Sequence, residues 1–187
     1  MTQALTRRDE ERGVTLTEFA IVFSLLLMLA LGAFEYGMVF RDSLTVATAS
    51  REAGRVAAST ANFGDADCVI LEAAAGALQS LDSGVIDEIH IYKSDASGAY
   101  AANNSLVNVY QPAGSQTPDL VCTGSSWLEA IGGNWDPNDR VNTAGAADWI
   151  GVQIDYSHQW LTNFLWWNGS MALSDDAVFR IEPPVPS

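Results

Sequence analysis

The run Gly13–Phe40, GVTLTEFAIVFSLLLMLALGAFEYGMVF, decides how the rest of the chain is arranged. From Phe19 to Phe34 it holds sixteen residues without a charge; counted on to Phe40 the segment has 22 residues and one interruption, Glu35. A helix of that length spans roughly 33 Å, about the thickness of a bilayer's hydrocarbon core. A membrane span over 14–40 is therefore expected. A secretory signal peptide cut near Ala30-Leu31-Gly32 is the competing reading, but the apolar pattern continues past that point.

Outward toward the N-terminus, residues 1–12 (MTQALTRRDEER) are polar and too short to fold alone. The Arg7-Arg8 pair invites a twin-arginine reading, which the acidic run Asp9-Glu10-Glu11 argues against. Arg7, Arg8 and Arg12 precede the span and Arg41, Arg51 and Arg55 follow it, so the positive-inside count is a tie and sets no orientation.

Outward toward the C-terminus, residues 41–60 continue as a helical stem. Val46, Ala49, Ala53, Val56 and Thr60 recur at spacings of three and four, a stripe of small residues that lets another backbone approach closely. Together with the span, this gives a helix over Val14–Thr60 roughly 70 Å long. Gly54 is unfavourable there, so packing must hold the helix through it. Asn62-Phe63-Gly64-Asp65 breaks the pattern. Asp65 or Asp67 caps a second helix running to Leu81, with Gly84 as its stop.

The period then changes to two. Val85–Lys93, Leu106–Gln111 and Trp149–Tyr156 read as strands, and Met171–Leu173 with Ala177–Ile181 as the last strand or strand pair. Residues 112–148 are rich in Gly, Pro, Asn, Ser and Asp, with a short helix at Trp127–Ile131. The expected fold is α+β: a long N-terminal helix, half transmembrane, packed on an antiparallel sheet of about four strands, plus one extra helix. The units are a leader (1–13), the span (14–40), the stem (41–60) and an extracytoplasmic domain (61–187).

Charge narrows the function. Net charge is −14 overall. Within 56–187 three basic residues (Lys93, Arg140, Arg180) face sixteen acidic ones, a net of 3 − 16 = −13. That surface repels phosphates, so nucleic acid is not an expected partner. Cys68 and Cys122 both follow the span; if that region is exported, they form one disulfide, and otherwise they are two buried thiols. Enzyme motifs are absent: there is no Gly-x-Ser-x-Gly, Walker loop or His-Glu-x-x-His. His90 and His158 offer no ligand spacing, so neither a metal nor a cofactor is expected. Asp136-Pro137-Asn138-Asp139 lacks the spacing of a calcium loop and reads as a solvated turn. Tyr156–Trp167 (YSHQWLTNFLWW) is either a partner or membrane-edge surface or core packing of the sheet against the stem.

The sharpest constellation lies at the start of the span. Gly13 ends the charged leader, Glu18 follows five residues on, and Phe19 opens the apolar run. A carboxylate at the edge of a hydrophobic span is costly unless something neutralises it. Cleavage after Gly13 would create an ammonium group on Val14 able to approach the Glu18 of a neighbouring subunit. The simpler alternative is an interfacial glutamate. Glu35 has two readings as well: an assembly contact, or a headgroup-level carboxylate pairing with Arg41.

Four patches resemble the TadE-like pseudopilins of the tight-adherence (Tad) pilus system. Arg12-Gly13 with Glu18-Phe19-Ala20 is similar to a prepilin-peptidase site. Gly32 with Phe34-Glu35-Tyr36-Gly37 is similar to the motif closing the family's membrane helix. Ala49–Ala58 (ASREAGRVAA) resembles the stem's Ala-Arg-Glu-Gly-Ala-Arg pattern, with Ala53 and Gly54 interchanged. Phe179-Arg180-Ile181-Glu182-Pro183 resembles the Arg-x-Glu-Pro ending of the last strand. The resemblance implies a non-enzymatic minor pilin, anchored in the bacterial cytoplasmic membrane with its C-terminal domain outside and taking part in pilus assembly, adhesion and secretion. It implies processing at Gly13 and Val14 and assembly contacts through Glu18, Phe19 and Glu35. The implied partners are other pilins, the Tad assembly platform, prepilin peptidase and the lipid bilayer. The alternative is a single-pass tethered binding or sensor domain.

Overall fold

The computed structural model describes residues 3–60, 62–81, 85–98, 106–112, 127–129, 134–162 and 168–183; of 3–13, 112 and 127–129 it describes the backbone alone. One helix, α1, runs unbroken from Gln3 to Thr60, 58 residues. It therefore starts inside the leader, which we expected to be too short to fold. Ala4, Leu5, Arg7, Arg8 and the glutamates are good helix formers, and extending an existing helix avoids the cost of nucleating a new one. The second helix, α2 (Ala66–Leu78), is shorter than the pattern suggested. Asp65 stands at its N-cap position but makes no side-chain cap. Asp67 turns inward instead.

Five antiparallel strands follow: β1 (Ile86–Ser94), β2 (Val107–Pro112), β3 (Trp127–Glu129), β4 (Trp149–Gln159) and β5 (Ser170–Arg180), in the spatial order β3-β2-β1-β4-β5. Four are the expected long strands. The three-residue β3 replaces the short helix expected at Trp127–Ile131, pairing Tyr110 with Glu129 and Pro112 with Trp127. Polar residues hid the length of β5: Ser174-Asp175-Asp176 reads as a break, yet the strand runs through it. Asp175 accepts a hydrogen bond from Ser50 Oγ at 2.6 Å and Asp176 one from Tyr92 OH at 3.1 Å. The turn after β1 is local chemistry: Asp95 Oδ1 accepts from the Ser97 N–H at 2.8 Å, and Gly98 takes φ +81°.

Both helices lie on one face of the sheet. The core joins Val46, Ala49, Ala53 and Ala57 of α1, Ile70, Ala74 and Leu78 of α2, Ile89 and Ile91 of β1, and Ile150, Val152, Ile154 and Tyr156 of β4. Alternation along β4 places Gly151, Gln153 and Asp155 on the opposite face. A buried polar cluster ties α2 to the sheet. Asp67 accepts from Asn108 and Tyr110, each at 2.7 Å, and pairs with Arg140, whose guanidinium lies 4.6 Å from the Trp135 ring centre.

Candidate functional site

From Val14 to Leu31 α1 touches almost nothing else. Leu16, Phe19, Ile21 and Leu29 are each more than 60 % exposed. Phe19 stacks on Phe23 of the next turn, centroids 5.6 Å apart. Glu18 is exposed on this bare stretch, one turn from Val14 on the same helix. Gly13 and Val14 lie within unbroken helix. Among the described residues α1 is the one helix long and apolar enough to cross a membrane.

The character of α1 changes at Gly32, which is buried, and at Glu35, which has no exposure at all. Glu35 is engaged with the chain just past β4. Its Oε1 accepts the Thr162 N–H at 2.5 Å and its Oε2 the Leu161 N–H at 3.2 Å. Pairing with Arg41, one of the two expected readings, is replaced by this contact. Arg41 donates to the Ser80 carbonyl at 2.6 Å, away from Glu35. A loop 126 residues distant in sequence leaves no periodic trace at position 35, so sequence reasoning could not have found the partner.

Two turns on, Asp42 is buried against His158, Oδ2 to Nδ1 at 2.7 Å. His158 also meets the Trp160 ring edge-on at 5.5 Å, and Trp160 meets Tyr36 at 6.1 Å. Of the aromatic segment, Tyr156 is core and Trp160 is half-buried at this junction. Phe164, Trp166 and Trp167 lie outside the described residues. Burial pushes the Tyr156 phenol pKa up; a hydrogen bond with Ser43 opposes this, and the charges of Asp175 and Asp42 add to it.

Further along, Val46, Ala49 and Ala53 are fully buried and Val56 is half-buried. Two of the quoted patches meet here. Gly54 faces the Phe179 ring so closely that a Cβ would lie 2.7 Å from it. The Glu182 N–H donates to the Ala58 carbonyl at 2.8 Å. The stem pattern and the strand ending are thus two sides of one joint. Cys68 is on α2, half-buried; Cys122 falls outside the described residues.

His90 belongs to neither group. It projects from the sheet face opposite the helices, beside Glu88 and Asp155.

Chemically, this arrangement is an apolar rod with a charged collar. Residues 13–55 match the family model described as TadE-like protein, a span that ends within the helix. No curated protein and no solved structure matches the chain.

Proposed function

We propose that the chain is a membrane-anchored minor pilin or pseudopilin that takes part in Tad-type pilus assembly. The observation that carries this reading is the overlap of the family match with the bare apolar stretch of the helix. The TadE-like match covers residues 13–55, and within it the apolar stretch Val14–Leu31 of α1 is left bare by the rest of the chain. The stretch left to lipid is Val14–Leu31, 18 residues or about 27 Å, shorter than the expected span over 14–40 because Gly32 and Glu35 are already covered by the domain. The sheet domain lies outside the cytoplasmic membrane. Prepilin peptidase removes residues 1–13, and the pilus platform and other pilins are the partners. Adhesion and secretion follow from the pilus rather than from a catalytic site in this chain.

On this reading Glu18 serves assembly. Within one subunit the Val14 ammonium cannot reach it without fraying the first turn. Between staggered subunits the pair forms without strain, and at the membrane edge each charge is costly alone. Glu18→Ala should insert and be cleaved but fail to crosslink to its pilin partners. Gly13→Leu should accumulate precursor. Blots for both forms beside crosslinking read the result, and wild-type crosslinking by Glu18→Ala would leave Glu18 as an interfacial charge. N-terminal sequencing of the membrane fraction tests the whole reading: Val14 as first residue supports it, and a start at Ala33 replaces it with a signal peptide.

Cys68 and Cys122 are paired in the exported domain. The bridge would tie α2 to the connection between β2 and β3 and restrict the unfolded chain by about 2–4 kcal/mol. Under non-reducing denaturing conditions neither thiol should alkylate; labelling of both removes the bridge from the description.

A further inference from the structure

We propose that Glu88, His90 and Asp155 form a binding site for a first-row divalent transition-metal ion, with zinc as the probe of choice. The site lies on the sheet face opposite the helices, on the neighbouring strands β1 and β4, and has no part in the pilin reading.

Strand geometry brings the three side chains together. Glu88 and His90 are two apart on β1 and so project from the same face. Glu88 is registered directly across from Asp155 on β4, next to a β-bulge at Ile86/Glu88. Bulges of this kind re-aim side chains and gather near functional sites. A glutamate opposite an aspartate is a like-charge cross-strand pair, unfavourable unless a cation lies between them. Among the described residues no lysine or arginine pairs with either carboxylate; Lys93, farther along β1, pairs with Asp148 at 2.7 Å. Among the described residues the His90 ring stands between the carboxylates, its Nε2 3.0 Å from Glu88 Oε2 and 3.2 Å from Asp155 Oδ2.

One ligand atom from each residue lies within 4.8 Å of the other two, the compactness a single ion requires. The carboxylates are also held from behind. Gln111 Nε2 donates to Glu88 Oε1 at 2.8 Å, and Gln153 Nε2 donates to Asp155 Oδ1 at 2.7 Å. Each amide fixes one oxygen and leaves the other aimed at the common point. Outer partners do this for ligating carboxylates, and their loss typically costs 10–100-fold in metal affinity. The donor set, one imidazole nitrogen and two carboxylate oxygens, suits zinc or manganese better than magnesium, which prefers an oxygen octahedron. All three side chains are partly exposed, so water can complete the coordination shell.

The test uses the full chain in detergent, stripped by a chelator, with ZnCl2 as titrant in calorimetry and thermal unfolding. We expect one zinc per chain and a raised Tm, with magnesium unable to compete. Glu88→Gln and Asp155→Asn keep side-chain shape and should each weaken binding by at least about tenfold; Gln111→Ala and Gln153→Ala should weaken it by about 10–100-fold without touching a ligand atom. Circular dichroism confirms folding, and the two isosteric variants keep the test valid if His90→Ala does not fold. Failure of the wild type to bind zinc at micromolar concentration overturns the proposal. So does equal binding by wild type and the Glu88→Gln/Asp155→Asn double variant, which would place the metal elsewhere. Neither outcome bears on the pilin reading, which rests on α1.

Discussion

Glu35 is the residue that most changes how the membrane junction is understood. A carboxylate in an apolar run reads as a headgroup ligand or an intersubunit contact. In the folded chain it accepts two backbone N–H groups of the loop after β4 and is wholly buried. Glu35→Ala would strand both donors, at about 1–3 kcal/mol. We expect a lower Tm and faster protease cutting near Leu161, with the sheet core intact; unchanged cutting would mean the loop is held by other contacts. Asp67 and His158 share the same history. Asp67 reads as a cap candidate and His158 as a histidine without ligand spacing, and each is buried against a partner far along the chain, Arg140 and Asp42. Such pairs have no period and no motif, so only the fold discloses them. The zinc ligands are partly different: Glu88-x-His90 was legible as two polar side chains on one strand face, and Asp155 on the matching face of β4, but their meeting depends on the register set by a bulge.

At the scale of elements, periodicity carried far. The stem stripe, the alternation of β4 and the change from period 3.6 to period 2 near Val85 all locate real elements. Misreadings came where one physical rule was applied without its neighbour. β5 reads as one strand or a pair because Ser174-Asp175-Asp176 is polar, and it is one strand because an edge strand tolerates polar residues that find partners. The leader was treated as unfolded although it adjoins a formed helix. Two glycines show how close the packing is. At Gly151 a Cβ would sit 2.2 Å from the Tyr92 ring, which is itself fully buried. Gly151→Ala should therefore cost about 1–3 kcal/mol, seen as a lower Tm. At Gly54 the obstacle is the half-buried Phe179 ring on the edge strand, which has room to turn, so Gly54→Ala should cost less. A reversed order would mean that the α1–β5 joint is stiffer than the sheet. Ala53→Trp is more severe than either, because Ala53 has no exposure; the sheet should undock from the stem, lowering Tm and increasing protease cutting.

At the scale of the molecule, one rigid element joins two environments. The apolar half of α1 is bare, the other half is covered by sheet and second helix, and no break separates them between Gln3 and Thr60. The helix therefore works as an axle. Each added residue turns everything beyond it by about 100° and moves it by about 1.5 Å. On the proposed pilin reading, the number of residues between Glu18 and Glu35 sets the compass bearing of the acidic domain around a filament. Two alanines inserted after Leu31 would swing the domain by about 200°, to nearly the opposite bearing, while seven would bring it back to within about 20° at a greater height. Cysteine crosslinking between neighbouring subunits should vanish with the two-residue insertion and return with the seven-residue one. Loss with both would mean that height governs the neighbour contact, and persistence with both would mean that the axle bends.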